Sequence, residues 1–344
     1  MEYPKFKVCV RCFTFNQAKY IEETMNGFVM QQTDFPFVCC IVDDASTDGE
    51  QDVIKKYMDM HFDYSPNSVS FEKETDYAYI HYAQHKKNKN CYFAVLFLKE
   101  NLYSKNEGFL KKMYIAEWRD NCIYEAICEG DDYWIASFKL KKQVAYMDEH
   151  PSCGMCYTCC KYFNQKQGVF EKESWGGPYT EFNDLLKECT VPTLTVLLRL
   201  KMLKQYEKEG HNIGKGWLMG DYPMWLWFSH ETSIYFFNDI TSVYRVLENS
   251  ASHSSALDVQ EKFIYSTYDM LSYFCNLYNC KNMLPSDWLY QHLFNTAVMY
   301  GDKDKAKEYY IKIIHPTIKQ KIKYRICCNL FLYKVFASRL FYTK

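Results

Sequence analysis

The stretch CEGDDYW, residues 128–134, sets Asp131 and Asp132 side by side, directly after Glu129 and Gly130 and before Tyr133 and Trp134. Neighbouring carboxylates disfavour each other's ionisation unless a cation or a hydrogen-bond donor lies between them. The residue types suit a hard divalent cation such as Mg2+ or Mn2+, which takes carboxylate oxygens and neutralises phosphate. A second pair, Asp43–Asp44, opens the stretch DDASTDGEQ, and a further acid, Asp221, precedes the apolar and aromatic run YPMWLWFSH. Taken alone, each has a plain structural reading: a solvated turn for the pairs, a helix N-cap for Asp221.

These acids need elements to hold them. FKVCVRCF, residues 6–13, alternates with a period of two and reads as a strand. FVCCIV, residues 37–42, and CIYEAIC, residues 122–128, are the continuous apolar runs of inner strands covered on both faces. Each of these runs ends in an acidic pair. Between them lie a helix over QAKYIEETMNGFVMQQ with Asn16 as its N-cap, and a second helix opened by an Asp48–Gln51 capping box. YAYIHYA and CYFAVLFL read as strands, GFLKKMYIAEW and SFKLKKQVAYMDEHP as helices, Met155 to Phe163 as a strand, and TVPTLTVLLRL as a buried strand. Strand and helix alternate, which predicts an α/β, at least partly parallel sheet, with ligands bound beyond the carboxyl ends of its strands. From Ser254 onward the pattern is helical.

The 344 residues are 48% hydrophobic with a formal net charge of -1, enough to bury a large core and no overall field for nucleic acid. The N-terminus enters a strand pattern at once rather than a leader pattern, and no apolar run approaches the roughly 20 residues of a spanning helix. A cytoplasmic chain is expected. Sixteen cysteines, in a reducing compartment, read as small buried hydrophobes. CVRC and CGMC have the spacing of zinc ligands, but residues three apart on a strand face opposite sides of a sheet.

Four segments in order, VCVRCFTFNQAKYIEETMNGFVMQQ, CCIVDDASTD, CEGDDYW with KLKKQVAYMDEHP, and MGDYPMWL, resemble the family 2 glycosyltransferases over roughly residues 5–250. The resemblance implies the A-type fold, a Rossmann-like mixed sheet flanked by helices. It also implies transfer of a sugar from a nucleotide diphosphate sugar, a UDP-sugar favoured, to an acceptor hydroxyl with inversion, using Mn2+ or Mg2+. Position by position, it implies nucleotide contacts for Thr14, Phe15, Asn16, Asp43, Asp44 and Asp131. Asp44 would recognise the base, Asp132 would be the direct metal ligand with Asp131 beside it, and Asp221 would be the catalytic base with Asp239 in reserve. Phe13 stands where Pro is common and Phe15 where Tyr is usual, which keeps stacking and loses a phenolic hydrogen bond.

Arg245 and His253 resemble a segment that folds back on the diphosphate, and Lys105 and Asn101 are further nucleotide contacts to test. The expected organisation is a catalytic domain over 1–253 and a helical C-terminal extension over 254–344. In the extension, Lys319, Lys321, Lys323 and Arg325 precede an aromatic, apolar run. That segment suits either peripheral contact with the inner face of an anionic membrane or packing on the catalytic domain. The expected pathway is polysaccharide or glycolipid synthesis in the cell envelope, with a carbohydrate or glycolipid acceptor. A sugar-nucleotide nucleotidyltransferase is the alternative, but FTFNQAKY lacks the glycines of a triphosphate loop. A non-catalytic sugar-nucleotide-binding protein is the other.

Overall fold

In the computed structural model, β1 (Val8–Thr14) and β2 (Phe37–Asp43) run parallel, in register from Val8 opposite Phe37 to Thr14 opposite Asp43. Residues 4–211, 214–247, 256–280 and 283–329 are described. The antiparallel ribbon of β3 (Phe71–Glu74) and β4 (Ala78–Gln84) joins β5 (Cys91–Leu98), which pairs parallel with β2. On the other side of β1, β6 (Tyr124–Ile127) is also parallel. The sheet continues through β7 (Tyr133–Trp134), β8 (Cys153–Asn164), β9 (Val169–Trp175), β10 (Leu197–Arg199) and β11 (Ser233–Val246). Its spatial order is β3-β4-β5-β2-β1-β6-β10-β8-β11-β7, with β9 on β8. It is a mixed sheet, as expected.

β2 and β5 are buried at every position, which explains their unbroken apolar sequences: helices cover both faces. The helices around the sheet are α1 (Ile21–Val29), α2 (Glu50–His61), α3 (Leu110–Tyr114), α4 (Ala116–Arg119), α5 (Lys139–Glu149), α6 (Phe182–Leu185) and α7 (Leu200–Glu209). On one face the core joins Ile21, Met25 and Phe28 of α1 with Val8, Val10 and Cys12 of β1 and Leu140, Val144 and Met147 of α5. Each such side chain contributes about 1.5–3 kcal/mol by leaving water. Gly27 is where α1 meets β7, because a Cβ there would lie 2.8 Å from the backbone nitrogen of Trp134.

Several local expectations are corrected. Asn16 does not cap α1, which begins at Ile21; it takes a left-handed φ of 56° instead. The N-cap of α2 is Gly49, also left-handed, rather than Asp48. The TVPTLTVLLRL run is a strand only over Leu197–Arg199, behind a 3-10 turn at Thr193–Thr195. β11, fourteen residues long, has no counterpart in the sequence reading; its burial alternates irregularly, so no clean period marks it.

The chain divides into two units: Met1–Leu185 with Cys189–Glu209 and Phe228–Val246, and Leu186–Glu188 with Gly210–Trp227 and Leu247–Lys344. Helix α8 (Tyr222–Glu231) follows Asp221. The second unit carries α9 (Leu257–Leu277), α10 (Trp288–Met299), α11 (Lys303–Tyr310) and α12 (Ile318–Cys328). Its core joins Leu293, Phe294, Ala297 and Val298 to Ala306, Tyr309, Ile313 and Cys327. No helix among the described residues is long and apolar enough to cross a membrane.

Candidate active site

The parallel pairing of β1 with both β2 and β6 brings three strand ends to one edge of the sheet. The segment after β1 is laced to the segment after β2. Thr14 Oγ1 and the backbone N–H of Gln17 donate to Glu50, and Ser46 Oγ donates to the same carboxylate at 2.9 Å. Asn16 Oδ1 accepts from the Thr47 N–H at 2.8 Å, while its own N–H donates to Ser46 Oγ. Thr14 is buried and Phe15 is 42% exposed, an apolar face open at this edge. Glu50, fully buried, is pushed up by burial and partly restored by these donors.

Asp43 and Asp44 are both fully buried, with different environments. The Asp44 carboxylate accepts the N–H groups of Leu102 (2.7 Å) and Tyr103 (3.1 Å) and pairs with Lys111 Nζ at 2.5 Å. It anchors the chain segment beyond β5, and Asn101 reinforces it by donating to the Asp44 carbonyl. Asp43 Oδ2 accepts from Gln51 (2.6 Å) and the Ser46 N–H (3.2 Å), while its Oδ1 is buried with no protein donor. Burial raises the Asp43 carboxyl above the usual range. The sequence reading favoured Asp44 for base recognition; the unmatched oxygen belongs to Asp43.

The acidic turn after β6 packs on the same edge. A Cβ on Gly130 would lie 2.0 Å from Thr14 Oγ1, so only glycine lets the turn close on β1. Thr24 Oγ1 donates to the carbonyls of Gly130 (2.9 Å) and Asp132 (2.6 Å), fixing its path. Burial raises the Cys12 thiol, and Glu129, Glu50 and Asp131 raise it further. Asp131 is half-buried and raised by burial, with Arg245 opposing.

Asp132, expected as the direct metal ligand, is enclosed: 4% exposed, it accepts the Arg245 N–H at 2.8 Å. Burial and the neighbouring Asp131 push it well above the usual carboxylate range. Among the described residues no cluster of three or more His, Cys, Asp or Glu could hold a metal ion unaided. Mg2+ and Mn2+ sites of nucleotide enzymes commonly use one or two carboxylates with substrate phosphates, and half-buried Asp131 beside Glu129 fits that pattern.

Arg245 is not available to a diphosphate. Its Nε donates to the Asp131 carbonyl at 2.6 Å, its fork reaches Gln165 and Glu23, and its guanidinium lies 4.8 Å from the Tyr20 and Tyr133 rings. Lys105 is paired with Glu100 on an exposed segment. His253 lies outside the described residues. Asp239 is held in an ion pair with Lys142 at 2.6 Å. Trp134 is a packing residue, donating to the Leu194 carbonyl with Lys139 over its ring at 4.2 Å. Asp221, in the second unit, is half-buried at the head of α8; its Oδ1 accepts the Tyr222 N–H at 2.8 Å and its carbonyl accepts from Met224 and Trp225.

Glu50 and Lys111 escaped the sequence reading, as did a buried charge network. Glu125 accepts from Arg11 Nε (2.8 Å) and Arg119 Nε (2.5 Å), and Arg119 and Lys112 share Glu207. Burial disfavours the Glu125 charge, but Arg11, Arg119 and Lys112 outweigh it and hold the carboxyl at about 2. The signal was present as Glu125 within an apolar strand, since a fully buried acid requires a cation.

Residues 10–88 match the family model described as Glycosyl transferase family 2. The uncharacterized protein Rv1520 of Mycobacterium tuberculosis and Mb1547 of Mycobacterium bovis are each 31% identical over 165 residues, 47% of this chain. The matched stretch spans 38% of those relatives' length. A putative teichuronic acid biosynthesis glycosyltransferase of Bacillus subtilis, TuaG, is 23% identical over 76% of this chain and 87% of its own. Among solved structures, residues 1–349 of Staphylococcus aureus TarS superpose with a TM-score of 0.47 at 15% identity, covering 98% of this chain and 93% of that one. The mannosyltransferase PcManGT of Pyrobaculum calidifontis, in complex with GDP-Man and Mn2+, gives 0.42 at 12% identity, covering 98% and 87%.

Proposed function

We propose that the chain, whose residues 10–88 match the Glycosyl transferase family 2 model, is a glycosyltransferase of that family and moves a sugar from a nucleotide diphosphate sugar, UDP favoured, to an acceptor hydroxyl with inversion. The observation that carries this reading is the convergence of the segments after β1, β2 and β6 on one sheet edge, with Gly130 closed onto Thr14. A crevice beyond the carboxyl ends of parallel strands is where an α/β sheet binds nucleotides.

In this reading the nucleotide base stacks on Phe15 and its N–H donates to Asp43 Oδ1, the buried oxygen without a protein donor. Asp44 acts indirectly, by fixing Leu102, Tyr103 and Lys111. Asp131 and Glu129 would hold Mg2+ or Mn2+, which when bound supplies charge neutralisation for the leaving diphosphate. Asp132 and Arg245 position the turn that carries Asp131. Asp221 takes the acceptor hydroxyl's proton as the new bond forms, general-base assistance worth about 10²–10⁴-fold.

Support for a cell-envelope polysaccharide or glycolipid as acceptor comes from the likeness to TuaG, a putative teichuronic acid biosynthesis glycosyltransferase. The deciding experiment is a thermal-shift panel of UDP-, GDP- and dTDP-sugars with and without Mn2+, since a ligand bound only by the folded chain raises apparent stability. A UDP-sugar should shift melting, more so with Mn2+. If no nucleotide sugar shifts it under either condition, the donor assignment fails.

A further inference from the structure

Helix α12 of the second unit turns an apolar stripe outward. Its N-terminus is well built: Thr317 Oγ1 accepts the Gln320 N–H at 3.2 Å, and the Gln320 side chain accepts the Thr317 N–H at 2.8 Å. Gln320 and Cys327 are the residues it buries. At 100° per residue these two lie about 20° apart, at the back of the helix. Ile318 and Ile322 lie on the opposite face, 77% and 53% exposed, with half-buried Ile326 beside them. Just before the helix, Ile311 and Ile314 are 71% and 67% exposed. Four exposed isoleucines thus fall within twelve positions of the chain, two on the helix and two on the turn before it, a denser run than the single apolar residues scattered over an ordinary exterior.

The cations border this stripe on both sides. Lys319 and Lys323 follow the two isoleucines by one position, about 100° around the helix, while Lys321 and Arg325 lie about 20–60° to the other side of Ile318. From Tyr309 to Lys344 the sequence contains no Asp or Glu, and Lys334, Arg339 and Lys344 add to the positive charge. Protein–protein interfaces are depleted in Lys at their centres. A bilayer surface asks for the opposite pattern, an apolar strip immersed to the acyl boundary with long cationic side chains reaching to headgroups on either side.

We propose that α12 and the preceding Ile311–Ile314 turn form a docking surface for an anionic lipid bilayer, with Ile314, Ile318 and Ile322 entering the interface and Lys319, Lys321 and Arg325 contacting acidic headgroups. The chain would lie on the membrane without crossing it. The surface is independent of the donor chemistry, so it can be tested without turnover.

The test is co-sedimentation of the full chain with vesicles of phosphatidylcholine alone or mixed with an equal part of phosphatidylglycerol. The expected result is binding to the mixed vesicles, weakened at least tenfold by raising salt from about 0.05 to 0.5 M. Ile318→Ser with Ile322→Ser should weaken it about tenfold or more. Lys319→Gln with Lys321→Gln should weaken it by about fivefold per charge on the anionic vesicles alone. In an Ile322→Trp chain, difference fluorescence against the parent should shift to the blue on adding mixed vesicles. The proposal is overturned by absence of binding, by equal binding to both vesicle types, or by variants that bind like the parent. Binding without the blue shift, or a dimer that the isoleucine substitutions dissociate in light scattering, would equally overturn it, the latter assigning the stripe to a second copy.

Discussion

The backbone N–H of Arg245 donates to the Asp132 carboxylate at 2.8 Å, joining residues 113 positions apart. The same arginine's Nε holds the carbonyl of Asp131, so one residue of β11 grips both members of the acidic pair. The two acids therefore differ in setting: Asp132 is buried against Arg245 and Asp131 remains at the half-buried edge.

Substitution separates them. Asp132→Ala leaves a buried N–H without an acceptor and should lower stability by about 1–3 kcal/mol, read as a drop in melting temperature or denaturant midpoint. Asp131→Asn should leave the melting temperature of the ligand-free chain within a few degrees while abolishing the extra stabilisation that Mn2+ gives a UDP-sugar complex. Equal effects in both assays would erase the distinction.

Arg245→Lys keeps the charge and loses the planar fork that reaches the Asp131 carbonyl, Gln165 and Glu23. The expected cost is about 2 kcal/mol, since hydrogen bonds to charged groups are worth about 1.5–3 kcal/mol. Donor binding should weaken with it, because the acidic turn loses its brace. A lysine variant with parental melting would show that the fork contributes nothing.

Asp221→Asn removes the proposed proton acceptor and keeps the size and capping ability of the side chain at the head of α8. Its kcat should fall by about 10²–10⁴-fold with the donor's binding constant unchanged. Parental kcat would return the residue to a purely structural cap.

Glu125 makes stability depend on acid. Its folded value is about 2 against 4.5 for the free side chain, so its contribution is fully present above about 4.5 and is lost as pH falls towards 2. Glu125→Gln should lower stability at neutral pH by about 3–5 kcal/mol, the cost of breaking a buried pair, and flatten the acid limb of the stability profile. An unchanged limb would assign acid sensitivity elsewhere.

Lys139 acts at the other end of the scale. Burial over Trp134 lowers its amine from 10.5 to about 7, with Cys128 and Cys156 opposing. Between those values the unfolded chain binds more protons than the folded one, so stability rises with pH. Lys139→Met should flatten that rise in denaturant titrations between pH 7 and 10; a parental slope would mean the amine is charged where it lies.

Much of the sheet was legible because β2, β5 and β6 lie in apolar runs and β1 alternates with a period of two; paired acids follow the β2 and β6 runs. The edge strands were harder. β9 is exposed along nearly its whole length and β11 shifts register against β8 at three points, so neither shows a regular period. Inside the site, residue types pointed to the right turns but not to the partner of each oxygen. That Asp44 meets Lys111, or Asp132 meets Arg245, depends on long-range contacts that local pattern does not encode. Asn16 shows the same limit: its amide serves Thr47 on a neighbouring turn, where local rules favoured a helix cap.

The close approach of Gly130 to Thr14 ties two motifs together. A methyl group at 130 would push the hydroxyl of Thr14 off Glu50 and, through it, disturb the lacing of Asn16, after β1, to Ser46, after β2. Neither segment can therefore drift in shape alone: a change tolerated by one must be matched by the other, so the two must be grafted or redesigned together.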